Sequence, residues 1–175
     1  MPLYLIELKP AEATKESVGA LIEKVVSAVG SSDGELIETQ VTSDHRIVFV
    51  VVEADSPRFA SPVVKAVEGS AEIAGPDEVR LVGAELDDIK KLKSHADYLV
   101  EWDIPAEITM DQYLARKKAN SPKYAEVPEV SFLRTYVRED TAKCLCFYDA
   151  PDEDAVTRAR AAVQTPIDRL FKLDA

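Results

Sequence analysis

Pro10–Thr14 reads PAEAT, and Pro105–Thr109 reads PAEIT. A segment that returns within one chain calls for a search for a repeated fold before any single element is assigned. Further echoes flank it: YLIE at Tyr4 and YLVE at Tyr98, EAD at Glu53 and DAP at Asp149, and a proline, Pro76 or Pro166, ahead of DEVRLV or IDRLFKL. In each copy the order is strand, helix, strand, tight connection, strand, helix, strand. The reading is βαββαβ twice, with 1–86 as the first repeat, 87–97 as a polar linker and 98–175 as the second repeat.

The elements have local physical support. Thr14 and Thr109 are N-cap residues, whose hydroxyl oxygens accept from orphan amides of the first turn, and Thr109 with Gln112 has capping-box spacing. Behind Thr14, Val18, Leu21, Ile22, Val25, Val26 and Val29 recur at helical spacing. Behind Asp152, Ala155, Val156, Ala159, Ala162 and Val163 do the same. ELIETQV and RIVFVVVEA flank TSDH, and VSFLRTYV and KCLCFYDA flank REDTA, which are hairpin patterns with polar connections.

Two βαββαβ units make an α+β protein of tandem ferredoxin-like units, each a four-stranded antiparallel sheet with both helices on one face. The opposite face of each sheet would be bare, and a unit that small with an apolar face open to water is a poor monomer. Two linked units covering each other's faces, an intramolecular dimeric α/β-barrel-like pseudo-dimer, is the expected solution.

Composition limits the partners. The 175 residues carry 32 Asp and Glu against 21 Lys and Arg, a net charge of -11, which repels nucleic acid and anionic membrane surfaces. MPLYLIEL has no basic segment before its short apolar run, and no stretch of about 18 apolar residues occurs, so a cytoplasmic protein is expected. Homo-oligomerisation leaves no signal in the pattern. The two cysteines, Cys144 and Cys146, lie two apart on a strand, where their side chains point the same way without meeting, and free thiols suit a reducing compartment.

Strand alternation groups the chemistry-bearing residues. Leu99 with Glu101, Phe132 with Arg134 and Tyr136, and Cys144 with Cys146 and Tyr148 each share a strand face. Val100, Leu133, Val137, Leu145 and Phe147 look apolar enough to lie under the helices. The polar set is therefore expected to face a small-molecule ligand in a gap between the two sheets. In the first repeat Glu7, Glu38 and Gln40 fall on the matching face, beside Val48, Val50 and Val52. Glu101 and Arg134 are the leading pair. They could form an ion pair, or, in a cofactor-free enzyme, a base and a substrate anchor.

YLVEWDIP at Tyr98, FLRTYVREDTAKCLCFYDAPDEDAV at Phe132 and TPIDRLFKL at Thr165 resemble a family of small ferredoxin-like domains that includes a bacterial nickel-binding protein. The resemblance covers the second repeat and is dilute in the first. It implies the ferredoxin-like fold and nickel as a candidate metal, with Cys144 and Cys146 as the soft donors. Some members carry His where this chain has Arg134, a side chain that cannot ligate a metal. Fold analogy extends to cofactor-free monooxygenases, isomerases and decarboxylases that bind substrate between sheets. His45 reads as a turn residue and His95 as part of the linker. The basic run ARKKANSPK, Ala115–Lys123, reads as a solvated helix end.

Overall fold

The computed structural model describes residues 1–91 and 96–174, so His95 and the middle of the segment read as a linker lie outside the described residues. The chain forms two compact units, one of Met1–Val79, Leu86–Lys93 and Asp174–Ala175, the other of Arg80–Glu85 and Ser94–Leu173.

In the first unit the order is β1 (Leu3–Pro10), α1 (Lys15–Gly30), β2 (Glu35–Val41), β3 (Val48–Glu53), α2 (Ala60–Val67) and β4 (Ala71–Val82). Its strands run in the order β2-β3-β1-β4, every pair antiparallel. Thr14 caps α1 by accepting from the Ser17 amide at 3.1 Å. Val18, Leu21, Val25, Ala28 and Val29 then bury against Tyr4, Ile6, Leu8, Val48, Val50 and Val52. Val26, which the sequence pattern placed on this stripe, points outward and is exposed. A short helix, α3 (Leu86–Lys90), follows, tied down by Lys90, whose ammonium donates to Glu35 and Glu53 at 3.2 Å each. At the hairpin tip His45 adopts a φ of 61° and its Nε2 lies 3.0 Å from Asp174 Oδ2.

The second unit repeats the plan with β5 (Tyr98–Asp103), α4 (Met110–Asn120), β6 (Ser131–Arg138), β7 (Lys143–Asp149), α5 (Glu153–Ala162) and β8 (Arg169–Lys172). Its strands run β6-β7-β5-β8, again all antiparallel. With the central pair formed by the first and third strands of each copy, both units are ferredoxin-like and the protein is α+β. No helix among the described residues is long and apolar enough to cross a membrane.

In both copies the third strand presents the face opposite to the one expected from sequence. Val48, Val50 and Val52 pack under α1 and α2, whereas Phe49 and Val51 stand opposite Glu7 and Glu38 in the register. In the second unit Cys144, Cys146 and Tyr148 pack with Ala155, Val156 and Ala159 of α5, and Leu145 and Phe147 take the other face with Glu101 and Arg134. The cause is register. β7 pairs Cys144 with Trp102 and Cys146 with Val100, and a bulge at Leu133 turns Phe132 to the helix side while Arg134 keeps the other. Both cysteines are buried there, as free cysteines commonly are.

Candidate functional site: a cationic thiol pocket under two helices

β7 sets Cys144, Cys146 and Tyr148 in a row on the helix side of the second sheet, each buried. Three segments close over them. α4 starts at a complete capping box, Thr109 with Gln112, and brings Tyr113, Arg116 and Lys117 inward. The 3-10 segment Ser121–Glu126 adds Tyr124. α5 starts at Asp152, which accepts from the Ala155 amide at 2.8 Å, and carries Arg160 on the same stripe as Val156, Ala159 and Val163.

Arg160 is the centre of the cluster. It is 2% exposed, and its guanidinium donates to Tyr148 Oη at 3.1 Å, to the Pro166 carbonyl at 2.6 Å and to Cys146 Sγ at 3.6 Å. Its Nε is buried without a protein partner. An isolated charge this deep would be costly, so the compensation must come from the groups it touches. Burial works against its protonation, but the negative charge of Cys146 and the Tyr148 hydroxyl outweigh burial and raise its pKa further.

Cys146 is built to carry that negative charge. Thr135 donates its hydroxyl hydrogen to Cys146 Sγ at 3.1 Å, from the strand position directly opposite. The hydrogen bond from Cys144 pulls the Cys146 thiol well below its usual range against the cost of burial, and Lys117, Arg160 and Thr135 reinforce it. Cys144 moves the other way, held up first by its hydrogen bond to Cys146 and then by burial, so the pair keeps one proton, on Cys144. Tyr113 adjoins Cys144, and its hydroxyl is raised by burial and the neighbouring thiol charges. Tyr124 and Tyr148 share a hydrogen bond at 2.6 Å, and burial with the Cys146 charge pushes Tyr124 up to about 12.

A cavity of about 20 Å3, measured as the space open to a water's centre, lies beside this cluster and is lined in part by Trp102, Arg116, Lys117, Tyr124, Cys146 and Arg160. The Arg116 guanidinium sits 5.3 Å from the Trp102 ring centroid, and Lys117 Nζ lies 4.3 Å over Phe132. Arg116 Nε is buried without a protein partner. The described lining contains three cations and no carboxylate.

The residues singled out from sequence thus divide. Cys144, Cys146 and Tyr148 come together under the helices, and the two cysteines line the cavity. Glu101, Arg134 and Tyr136 occupy the opposite face of the second sheet, and Glu7 and Glu38 belong to the first sheet. Glu101 is 2% exposed, and both its oxygens are gripped by Arg169, from Nε and, at 2.7 Å, from Nη2, with Lys143 Nζ at 3.4 Å. Arg169 stands directly opposite Glu101 in the β5–β8 register, whereas Arg134 is separated from it by β7 and lies 4.8 Å over the Phe147 ring. Tyr136 meets Phe147 edge-on at 5.9 Å. Glu38 accepts from the Gln40 amide at 2.9 Å.

Sequence reasoning missed Arg160, Thr135, Tyr113 and Arg169, and it read Arg116 and Lys117 as solvated. Arg160 had a usable signal, since it falls four residues after Val156 and three before Val163 on an otherwise apolar stripe.

Residues 98–173 match the family described as nickel responsive protein SCO4226-like. The match covers the second unit and not the first. Among solved structures, a putative chlorite dismutase, TA0507, aligns over 100% of this chain and 96% of its own at 14% identity and a TM-score of 0.59. A putative monooxygenase from Fusobacterium nucleatum aligns over 99% and 91% at 13% identity and a TM-score of 0.55. SCO4226 from Streptomyces coelicolor A3(2) aligns over 46% of this chain and 98% of its own at 18% identity and a TM-score of 0.40. No curated protein matches the chain. At these identities the likeness is one of fold.

Proposed function

We propose that the second unit binds a small anion, or the anionic head of a small molecule, in the pocket beside Trp102. The observation that carries this is a local reversal of charge. In a chain of net charge -11, the pocket gathers Arg116, Lys117 and Arg160 with no carboxylate among its described lining residues. The Cys146 thiolate offsets one of these cations, and the excess attracts an anion in a recess where solvent screening is weak. Arg116 Nε and Arg160 Nε are buried donors without protein partners, so neither guanidinium is fully spent on the protein.

Two other readings fare worse on the same geometry. The family description for residues 98–173 speaks of nickel, but the donor set here does not fit that ion. No group of three or more His, Cys, Asp or Glu among the described residues could hold a metal, and the Cys146 sulfur faces a guanidinium at 3.6 Å that would repel a divalent cation. A cofactor-free enzyme with Glu101 as base needs a carboxylate oxygen facing substrate, and both are taken by Arg169.

Trp102 is the chain's single tryptophan, so its emission reports the pocket directly. Sodium formate titrated into the protein should change that emission saturably, with no such change for N-acetyltryptophanamide in the same salt. A linear response equal to that of the free fluorophore would overturn the proposal.

A further inference from the structure

We infer that Cys146 is a peroxide-oxidisable thiol: its sulfur, at the wall of the helix-side pocket among Thr135, Arg160 and Cys144, attacks a small hydroperoxide and is converted to a sulfenic acid. The inference rests on the reading of this pocket as open to small polar molecules.

The geometry makes Cys146 Sγ an acceptor. Thr135 donates to it at 3.1 Å and Arg160 at 3.6 Å, and the proton of the cysteine pair stays on Cys144. A sulfur that accepts from a hydroxyl and a buried guanidinium is drawn toward the thiolate, the nucleophilic form. Two further observations point to an incoming molecule. The cavity is roomy enough to admit a small polar molecule beside the sulfur. Arg160, 2% exposed and part of the cavity lining, keeps its Nε without a protein partner.

The step balances without a cofactor. The thiolate lone pair forms an S–O bond to the nearer peroxide oxygen as the O–O bond breaks. The sulfur is oxidised by two electrons and the peroxide is reduced. The departing hydroxide, or alkoxide, takes a proton from solvent at the pocket mouth and leaves as water or an alcohol. The new sulfenate oxygen lies within reach of Arg160 and Thr135. Cys144 is a poor resolving thiol, because residues two apart on one strand have Cα atoms about 6.6 Å apart with parallel side chains, at the edge of what a disulfide accepts. Return to the thiolate therefore falls to a low-molecular-weight thiol, which condenses with the sulfenic acid to release water and is displaced by a second thiol.

The test uses the whole protein, one equivalent of hydrogen peroxide and intact-mass measurement with peptide mapping. Wild type and Cys144→Ser should gain one oxygen at Cys146 that dithiothreitol removes, and Cys146→Ser should gain none that dithiothreitol removes. Oxidation of the two methionines is separated by its resistance to dithiothreitol. Thr135→Val, which removes one donor to a charged sulfur, should slow the reaction roughly tenfold while the fold persists. No reversible oxygen on folded wild type, an equal gain in Cys146→Ser, or an unchanged rate in Thr135→Val would each overturn the inference. Formate binding read at Trp102 is scored separately, so failure of the oxidation with binding intact removes only the thiol chemistry, and a lost formate response with oxidation intact removes only the anion reading.

Discussion

Replacing Arg169 by Met removes the guanidinium that closes both oxygens of Glu101, a carboxylate 2% exposed in the middle of β5. Breaking a fully buried ion pair costs about 3–5 kcal/mol, because the surviving charge is left without compensation. Two features reduce the figure here. The Arg169 side chain is 37% exposed, and Lys143 stays 3.4 Å from Glu101. A loss of roughly 2 kcal/mol is expected. Glu101→Leu with Arg169→Leu removes both charges and should return to within about 1 kcal/mol of wild type. Urea unfolding followed by Trp102 emission reads this unit directly, since Trp102 is the neighbour of Glu101 on the strand. Equal slopes among the variants justify comparing midpoints. A loss below about 0.5 kcal/mol in Arg169→Met would place the pair among surface ion pairs of little consequence and refute the reasoning. So would a double variant as unstable as the sum of the singles.

Gly83→Ala is expected to disturb the pocket from a distance. Gly83 has a φ of 88°, and a Cβ there would lie 2.6 Å from the Phe132 ring, which stacks on Tyr124 at 5.5 Å. The expected cost is about 1–3 kcal/mol, with altered near-ultraviolet dichroism from the displaced tyrosine; an unchanged spectrum and midpoint would show that the ring yields freely. The reactivity of Cys146 should also keep its rate as pH falls. An ordinary thiol near 8.5 loses about tenfold in thiolate per pH unit below that value. A depressed pKa keeps the anion through neutral pH, so site-mapped alkylation by iodoacetamide should change less than about threefold between pH 8.5 and 6.5 at Cys146 and fall steeply at Cys144. Beside Lys117, the groups facing the sulfur are Cys144, Arg160, Tyr113, Tyr124 and Tyr148, and these five keep their charge over this window by the directions of their shifts. A tenfold fall per unit at Cys146 would contradict the thiolate assignment.

The repeated PAE segments, the threonine caps and the hairpins made the two βαββαβ units legible, because caps, turn residues and helical periodicity act locally. Strand faces were less legible. Alternation fixes which residues share a face but not which face meets the helices, and polarity was a poor guide where the polar residues were thiols and tyrosines. Cys144, Cys146 and Tyr148 went under the helices because β7 pairs with Tyr98, Val100 and Trp102, a relation between strands far apart in sequence. The Glu101 partner was missed for the same reason, since only the β5–β8 register reveals Arg169. Arg116 and Lys117 lay in a basic run with the appearance of a solvated helix end, and only the docking of α4 on the sheet shows that their charged ends lie over Trp102 and Phe132.

In the proposed function these two cations and Arg160 make the pocket a receptor for an anion. The direct measurement is the formate titration of Trp102 emission in Arg116→Met with Lys117→Met, beside Arg80→Met, which removes a cation paired with Glu139 that does not line the pocket. With folding verified by circular dichroism, the double variant should bind at least tenfold more weakly and the Arg80 variant should bind as wild type. Equal affinities in all three proteins would contradict the claim.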